Sequence, residues 1–260
     1  MSAGAAMGEL IEYAVTGGIA TLTFNRPQVM NALDPEMLRA FALVCARARD
    51  DENARVLVLR GAGRAFVAGG DVGAFKQGLP HIETLVAPLA QALHQGIATL
   101  REMPKPVIAS VHGAVAGAGM GIMLAADLIV AADNTQFTTA YARIGASPDG
   151  GATWFLPKVA GYHKAMALLL LSDAVDAQAL LACGVIHQLA PLAQLQAVTQ
   201  QLAQRLAHGP ANVYAEIKRL LNTQQNRSLA EHLRDEAHTF ARCAVHVNFA
   251  EGVTAFTEKQ

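Results

Sequence analysis

Charge is scarce in this chain, and what there is nearly cancels. Only 16% of its 260 residues are charged, with 20 basic against 21 acidic side chains and a formal net charge of −1. A typical globular protein carries about 25%. No run of basic residues occurs, which argues against a nucleic-acid groove or a polybasic membrane patch. Cysteine is nearly absent too. Cys45, Cys183 and Cys243 lie far apart without a C-x-x-C pair, so they fit a reducing compartment and serve as core filler. His112 and His163 stand isolated, without metal-ligand spacing, and no metal site is expected. The apolar run Ile122–Ala132 is interrupted by Asp127 and too short to span a bilayer. The first nine residues lack the basic and long apolar regions of a secretion signal. A soluble cytoplasmic protein is the expectation. No Gly-Lys-Ser/Thr is present for a Walker loop, and Ser110 has no G-x-S-x-G elbow around it.

What is abundant is apolar. The composition is 52% hydrophobic, with a mean hydropathy of +0.26. The length suits one large domain, or a domain with a small appendage. So little charge implies that other subunits cover part of an apolar surface.

Residues 9–24 alternate around Thr16-Gly17-Gly18, which predicts a hairpin of Ile11–Val15 and Ile19–Phe24. Asp34-Pro35 opens a helix as N-cap and first helical residue, running to about Asp50. Val56–Arg60 and Val107–Val111 read as buried strands, with a helix over His81–Glu102 between them. Strands Leu128–Ala132 and, from Asn134, a short one to Phe137 follow. Beyond residue 151 the pattern is helical: Thr153–Val159, His163–Leu171, Asp176–Ala182, Leu192–Ala207, Ala211–Asn222 and Leu229–Val245. Strand–helix alternation followed by a helical tail predicts an α/β core with an α-helical C-terminal segment.

Two glycine–alanine stretches carry the chemistry. Arg64-Ala-Phe-Val-Ala-Gly-Gly-Asp71 and His112-Gly-Ala-Val-Ala-Gly-Ala-Gly-Met-Gly121 are small enough to bring main chain against a ligand, and the second runs into a predicted helix Ile122–Asp127. Two backbone N–H groups converging on one oxygen would form an oxyanion hole. A dinucleotide-binding reading of Gly117–Gly121, with Asp133 as the ribose acid, fails because Ile122 stands where the third small residue belongs. Tight turns without a ligand remain the plain alternative.

Asn25-Arg-Pro-Gln-Val-Met-Asn-Ala-Leu33, Ala65-Phe-Val-Ala-Gly-Gly-Asp-Val72, the glycine-rich run to Gly121, Ser147-Pro-Asp-Gly-Gly-Ala-Thr153 and Asn248-Phe-Ala-Glu-Gly-Val-Thr-Ala-Phe-Thr-Glu-Lys259 occur in that order. Together they resemble the enoyl-CoA hydratase/isomerase (crotonase) family from about residue 10 onward. The resemblance implies a crotonase-like spiral of repeated ββα units over residues 1–208, holding the acyl-CoA site. It also implies a C-terminal helical segment over 209–260 that serves trimer assembly, as a homotrimer or a dimer of trimers. The substrate would be an acyl-CoA thioester, with coenzyme A part of the substrate and no separate cofactor. By motif position, Gly70 and Ala118 would supply the oxyanion N–H groups.

Hydratases of the family use two glutamates, whose positions here are Gly121 and Tyr141. With neither acid present, ordinary hydration is disfavoured, since one group must activate water and return a proton. Family isomerases place a catalytic aspartate at the position of Asp149, and a related dehalogenase uses that position as its nucleophile. Asp149 is therefore expected to act as acid and base in moving a double bond; the tripeptide Pro-Asp-Gly is also ordinary turn sequence. Tyr141 either donates a hydrogen bond or walls the acyl pocket.

Gln28, Val29 and Asn31 are expected near the nucleotide end of coenzyme A, and Ala68, Asp71 and Val72 along the pantetheine and adenine, although Asp71 also suits a helix cap. Lys259 would meet a phosphate or remain solvated. Trp154, Phe155 and Phe256 would shape an acyl tunnel or fill core. A hydratase or hydrolase, and a silent acyl-CoA-binding scaffold, are the competing functions.

Overall fold

The computed structural model describes residues 10–258. The hairpin forms as its alternation predicts: β1 (Ile11–Thr16) pairs antiparallel with β2 (Ile19–Phe24) across Gly17–Gly18. Helix α1 (Pro35–Asp50) starts at the expected cap, the Asp34 carboxylate accepting from Met37 N at 2.8 Å. Next come β3 (Val56–Gly61), a short helix α2 (Val72–Gly78) and the long helix α3 (Ile82–Glu102). The chain then repeats one pattern. β4 (Val107–Val111), β5 (Ala114–Ala116) and helix α4 (Ala118–Leu124) form one unit. β6 (Leu128–Ala132), β7 (Gln136–Thr138) and helix α5 (Ala152–Ala160) form the next.

Each unit sends its first strand to one sheet and its second to another. The large sheet has the order β1-β2-β3-β4-β6, all parallel after the hairpin, and the small one begins β5-β7. Helix α6 (Tyr162–Leu171) leads to β8 (Val175–Asp176), which closes the small sheet; helix α7 (Ala177–Ala182) and β9 (Gln188–Ala190) follow, and β9 closes the large one. Helices α8 (Leu195–Ala207), α9 (Ala211–Thr223), α10 (Leu229–Ala244) and α11 (Val247–Thr257) complete the described chain.

The central strands β3, β4 and β6 are largely apolar because both faces of the large sheet are covered there. Leu57, Leu59, Val107, Ala109, Ile129 and Ala131 point into the main core with α1 and α3. The alternate residues Val56, Val58, Ile108 and Val130 pack against Leu195, Ala203 and Ala207 of α8, as the two-residue repeat of a strand requires. Helix α9 is tied to this body by Lys218. Its buried ammonium donates to Leu100 O at 2.7 Å, Lys105 O at 3.1 Å and Asp127 Oδ2 at 2.7 Å.

Several boundaries differ from the sequence expectation. The helix expected at Ile122–Asp127 begins at Ala118, inside the glycine-rich run, because Gly117 turns the chain at φ +49°. Residues 75–80, unreadable as sequence, belong to α2 and a following 3-10 turn, with the Asp71 carboxylate capping Ala74 N at 3.1 Å. β5 and β9, three residues each, are too short to show periodicity. Helix α11 extends the helical tail past Val245.

Candidate active site

Leu33 and Gly70 form a parallel bridge in which Leu33 N donates to Gly69 O at 2.8 Å and Asp71 N to Leu33 O at 3.0 Å. The N–H of Gly70 takes no part in that bridge and points to its other side. Gly69 lies so close to Ala116 that a Cβ on it would sit 3.2 Å from the Ala116 carbonyl oxygen, at φ +96°. The two glycine-rich stretches therefore meet. Ala118 is the first residue of α4, so its N–H has no acceptor within the helix. Gly70 and Ala118 line one cavity of about 120 Å³.

The same cavity is lined by Asp149 and Tyr141. Tyr141 is buried at the start of a 3-10 turn, and its hydroxyl donates to Asp149 Oδ1. Burial first, then the charge of Asp149, pushes the Tyr141 hydroxyl well above the usual phenol range. Asp149 itself is half-buried on the loop entering α5, and its carbonyl accepts from Ala152 N at 3.3 Å. The loop is held against two helices. Gly150 N donates to His94 Nε2 of α3 at 3.2 Å. A Cβ on Gly121 of α4 would lie 2.2 Å from the Gly150 carbonyl oxygen, so the loop backbone sits directly on that helix.

Ala68, Gly70, Val72, Ala118, Tyr141 and Asp149 are thus brought together around one cavity, joined by Phe75, Thr139 and Ile144. The remaining residues are placed otherwise. Gln28 and Val29 lie exposed on a 3-10 turn, adjoining the cavity segment through Ala68 N, which donates to Met30 O at 3.1 Å. The Asn31 side chain turns into the protein. It is fully buried, accepts from Arg26 N at 2.8 Å and donates to Ala62 O, Ala65 O and Phe66 O at 2.9–3.0 Å. Its amide is used up in holding two loops together. Gly121 likewise has no open side toward the cavity, since Gly150 fills it.

The Asp71 carboxylate caps α2 and faces Arg26 at 3.5 Å. Trp154 is exposed beneath Lys158, Phe155 packs under Arg101, and Phe256 is exposed; none of the three lines the small cavity. Lys259 lies outside the described residues. His112 bonds the Gly63 carbonyl, and His163 stacks edge-on with Tyr162. His94 was missed in the sequence, and Phe75 was legible only as part of a segment, residues 75–80, expected to border the acyl tunnel. One sits on an exposed helix position, and the other in a segment with no readable period.

A larger cavity of about 700 Å³ lies on the α8 face of the large sheet. Two polar pairs line it, Arg60 Nε with Thr23 Oγ1 at 2.9 Å and Ser110 with Thr199 at 2.8 Å.

Residues 14–260 match the sequence profile of the enoyl-CoA hydratase/isomerase family. The chain is 36% identical over 255 residues to a "Probable enoyl-CoA hydratase" of Rhodobacter capsulatus, covering 96% of this chain and 95% of that one. It is 34% identical over 267 residues to the 1,2-epoxyphenylacetyl-CoA isomerase of Escherichia coli, covering 98% and 97%. The crystal structure of an enoyl-CoA hydratase from Polaromonas superposes with a TM-score of 0.91 at 33% identity, covering 96% of this chain and 97% of that one.

Proposed function

Because this chain belongs to the enoyl-CoA hydratase/isomerase family, we propose that, within that family's acyl-CoA chemistry, it shifts the double bond of an enoyl-CoA, with Asp149 as acid and base. One observation carries the reading. Among the described residues, Asp149 is the one carboxylate lining the cavity that Gly70 and Ala118 also line.

The steps follow from that geometry. The thioester oxygen receives the two backbone N–H groups, and the Asp149 carboxylate takes a proton from the carbon whose acidity the thioester raises. The electron pair moves onto the oxygen as an enolate, where two hydrogen bonds in a dry site stabilise it; losing one such donor costs about 10²–10³ in rate. The same carboxyl then returns the proton further along the conjugated chain. Proton removed equals proton returned, so neither water nor a separate cofactor enters. The Tyr141 hydroxyl holds the carboxylate in place throughout.

Hydration is the second reading, favoured by the hydratase name of the Rhodobacter relative. Here Asp149 would act through a water. Product analysis with 2-enoyl-, 3-enoyl- and dienoyl-CoA in H₂¹⁸O separates the two. Bond migration without ¹⁸O, lost in Asp149→Asn, is the expected result; ¹⁸O in the product moves the assignment to hydration. Full activity in the variant removes Asp149 from the mechanism.

The proposed assembly is a homotrimer or a dimer of trimers. Its support is the apolar surface left open on the C-terminal helices, where Leu229, Phe240 and Phe256 are 73%, 67% and 75% exposed. Light scattering of the purified protein gives the subunit number directly. No described helix is long and apolar enough to cross a membrane.

A further inference from the structure

We propose that His94 is the positioning residue for Asp149, acting as a neutral imidazole that carries its proton on Nδ1. The proposal rests on the reading of Asp149 as acid and base. It begins from the direction of one hydrogen bond. The donor is the Gly150 backbone N–H and the acceptor is His94 Nε2, 3.2 Å away. An imidazole nitrogen accepts only where it bears no proton, so Nε2 must be the bare nitrogen.

The residue so held is the neighbour of Asp149, in a loop whose own backbone bond at this point is the long one from Ala152 N to Asp149 O, 3.3 Å. Gly150 and Gly151 both take positive φ, +60° and +79°. Two adjacent residues without side chains leave the loop free to rotate in the unfolded chain and in any loosened state. Packing constrains Gly150 from two sides, because a Cβ there would stand 3.3 Å from Leu93 Cδ2 and 3.6 Å from Gly121 Cα. Those contacts are apolar and carry no direction. The hydrogen bond to His94 supplies direction from outside the loop, holding the N–H end of the peptide plane whose carbonyl end accepts from Ala152 N. Rotating that plane swings the Asp149 side chain.

Tyr141 holds the other end, at the carboxylate itself. Outside its own loop, the catalytic group is thus fastened through its side chain by Tyr141 and through its backbone by His94. The two fasteners come from different parts of the chain, the loop after β7 and the middle of α3. His94 does not line the cavity and bonds the backbone rather than the carboxylate, so its effect is on placement.

The test compares His94→Ala, His94→Gln and Asp149→Asn, assayed with an enoyl-CoA that the wild type turns over. Misplacing a reacting group by about 1 Å costs up to about 10²-fold. His94→Ala is expected to lower kcat by about tenfold or more, with KM changed less than about twofold because the oxyanion donors are untouched. His94→Gln is expected to recover most of kcat, because its side-chain carbonyl can take the Nε2 position and accept from Gly150. A role confined to stability would move the melting temperature of both variants and leave kcat of the folded protein alone. Wild-type kcat in His94→Ala, with Asp149→Asn inactive, overturns the proposal and leaves the Asp149 reading standing. Full activity in Asp149→Asn overturns the Asp149 reading, and this one with it. Should His94→Ala fail to fold, ¹⁵N-histidine NMR of the wild type decides, with the His94 signals identified by their loss in His94→Gln. A bare Nε2 and a protonated Nδ1 are expected; a proton on Nε2 overturns the proposal.

Discussion

The hydroxyl of Tyr141 donates to the carboxylate of Asp149, eight residues further along the chain. The pairing makes Tyr141 more than a wall of the cavity. A hydrogen bond to a charged group is worth about 1.5–3 kcal/mol. Tyr141→Phe is therefore expected to lower kcat by about tenfold while leaving KM close to wild type, as steady-state kinetics will read. Unchanged kcat would return Tyr141 to a purely lining role.

The same residue bears on alkaline pH. Burial, then the negative charge of Asp149, raises the Tyr141 hydroxyl above its ordinary value of about 10. The bond to Asp149 thus persists as pH climbs through that value. Wild type and Tyr141→Phe are expected to share one alkaline limb in their pH–rate profiles. A drop near pH 10 in the wild type alone would contradict it.

Gly121 stands where the resemblance places a hydratase glutamate, yet restoring that acid is not expected to create a hydratase. A Cβ at Gly121 falls 2.2 Å from the Gly150 carbonyl oxygen, and both groups are backbone-bound. Gly121→Glu must push the Asp149 loop off α4, and overpacking of this kind costs about 1–3 kcal/mol or more. Loss of isomerase activity, a lower melting temperature and no ¹⁸O uptake are the expected outcomes. Hydration by the variant would show that the loop yields easily.

Asn31 separates a structural role from a ligand contact. Removing its amide leaves the carbonyls of Ala62, Ala65 and Phe66 and the N–H of Arg26 without their partner. Asn31→Ala also puts alanine at φ +57°, where asparagine is better tolerated. Urea unfolding is expected to show a loss of about 2–4 kcal/mol. A raised KM for acyl-CoA with unchanged stability would instead identify a ligand contact.

Acid should loosen the C-terminal helices first. Arg219 forks onto Asp235 through bonds of 2.7 and 2.9 Å, joining α9 to α10, and Arg227 adds a further contact. These cations hold the Asp235 carboxyl well below the usual carboxylate range. A folded-state pKa below the unfolded one gives stability that is complete above about pH 4 and fades as pH falls further. Melting curves between pH 6 and pH 3 are expected to fall more steeply for wild type than for Asp235→Asn. Parallel curves would remove the pair from the acid response.

Much of the site was legible because it is written in runs of small residues. The stretches ending at Asp71 and Gly121 announce close backbone approach, and they meet at Gly69 and Ala116. Asp34 and Asp71 read as caps and act as caps. The inward turn of the Asn31 side chain was not legible, because its place in a motif says nothing of which way its amide turns. His94 was silent: one histidine on a helix carries no pattern.

What the sequence determines by itself is local. Alternation sets the hairpin, short apolar runs set the buried strands, helical spacing and caps set the helices, and glycine marks where the chain can bend or be approached. Tertiary structure alone decided which residues face the same space. Asp149 gains its surroundings from Gly70, Ala118 and Tyr141, and the Gly150 N–H finds His94 across 56 residues of chain. Periodicity reports the environment of a residue along its own element. Contacts over such separations are set by the pairing of strands in two sheets and the packing of helices upon them, and no local pattern encodes them.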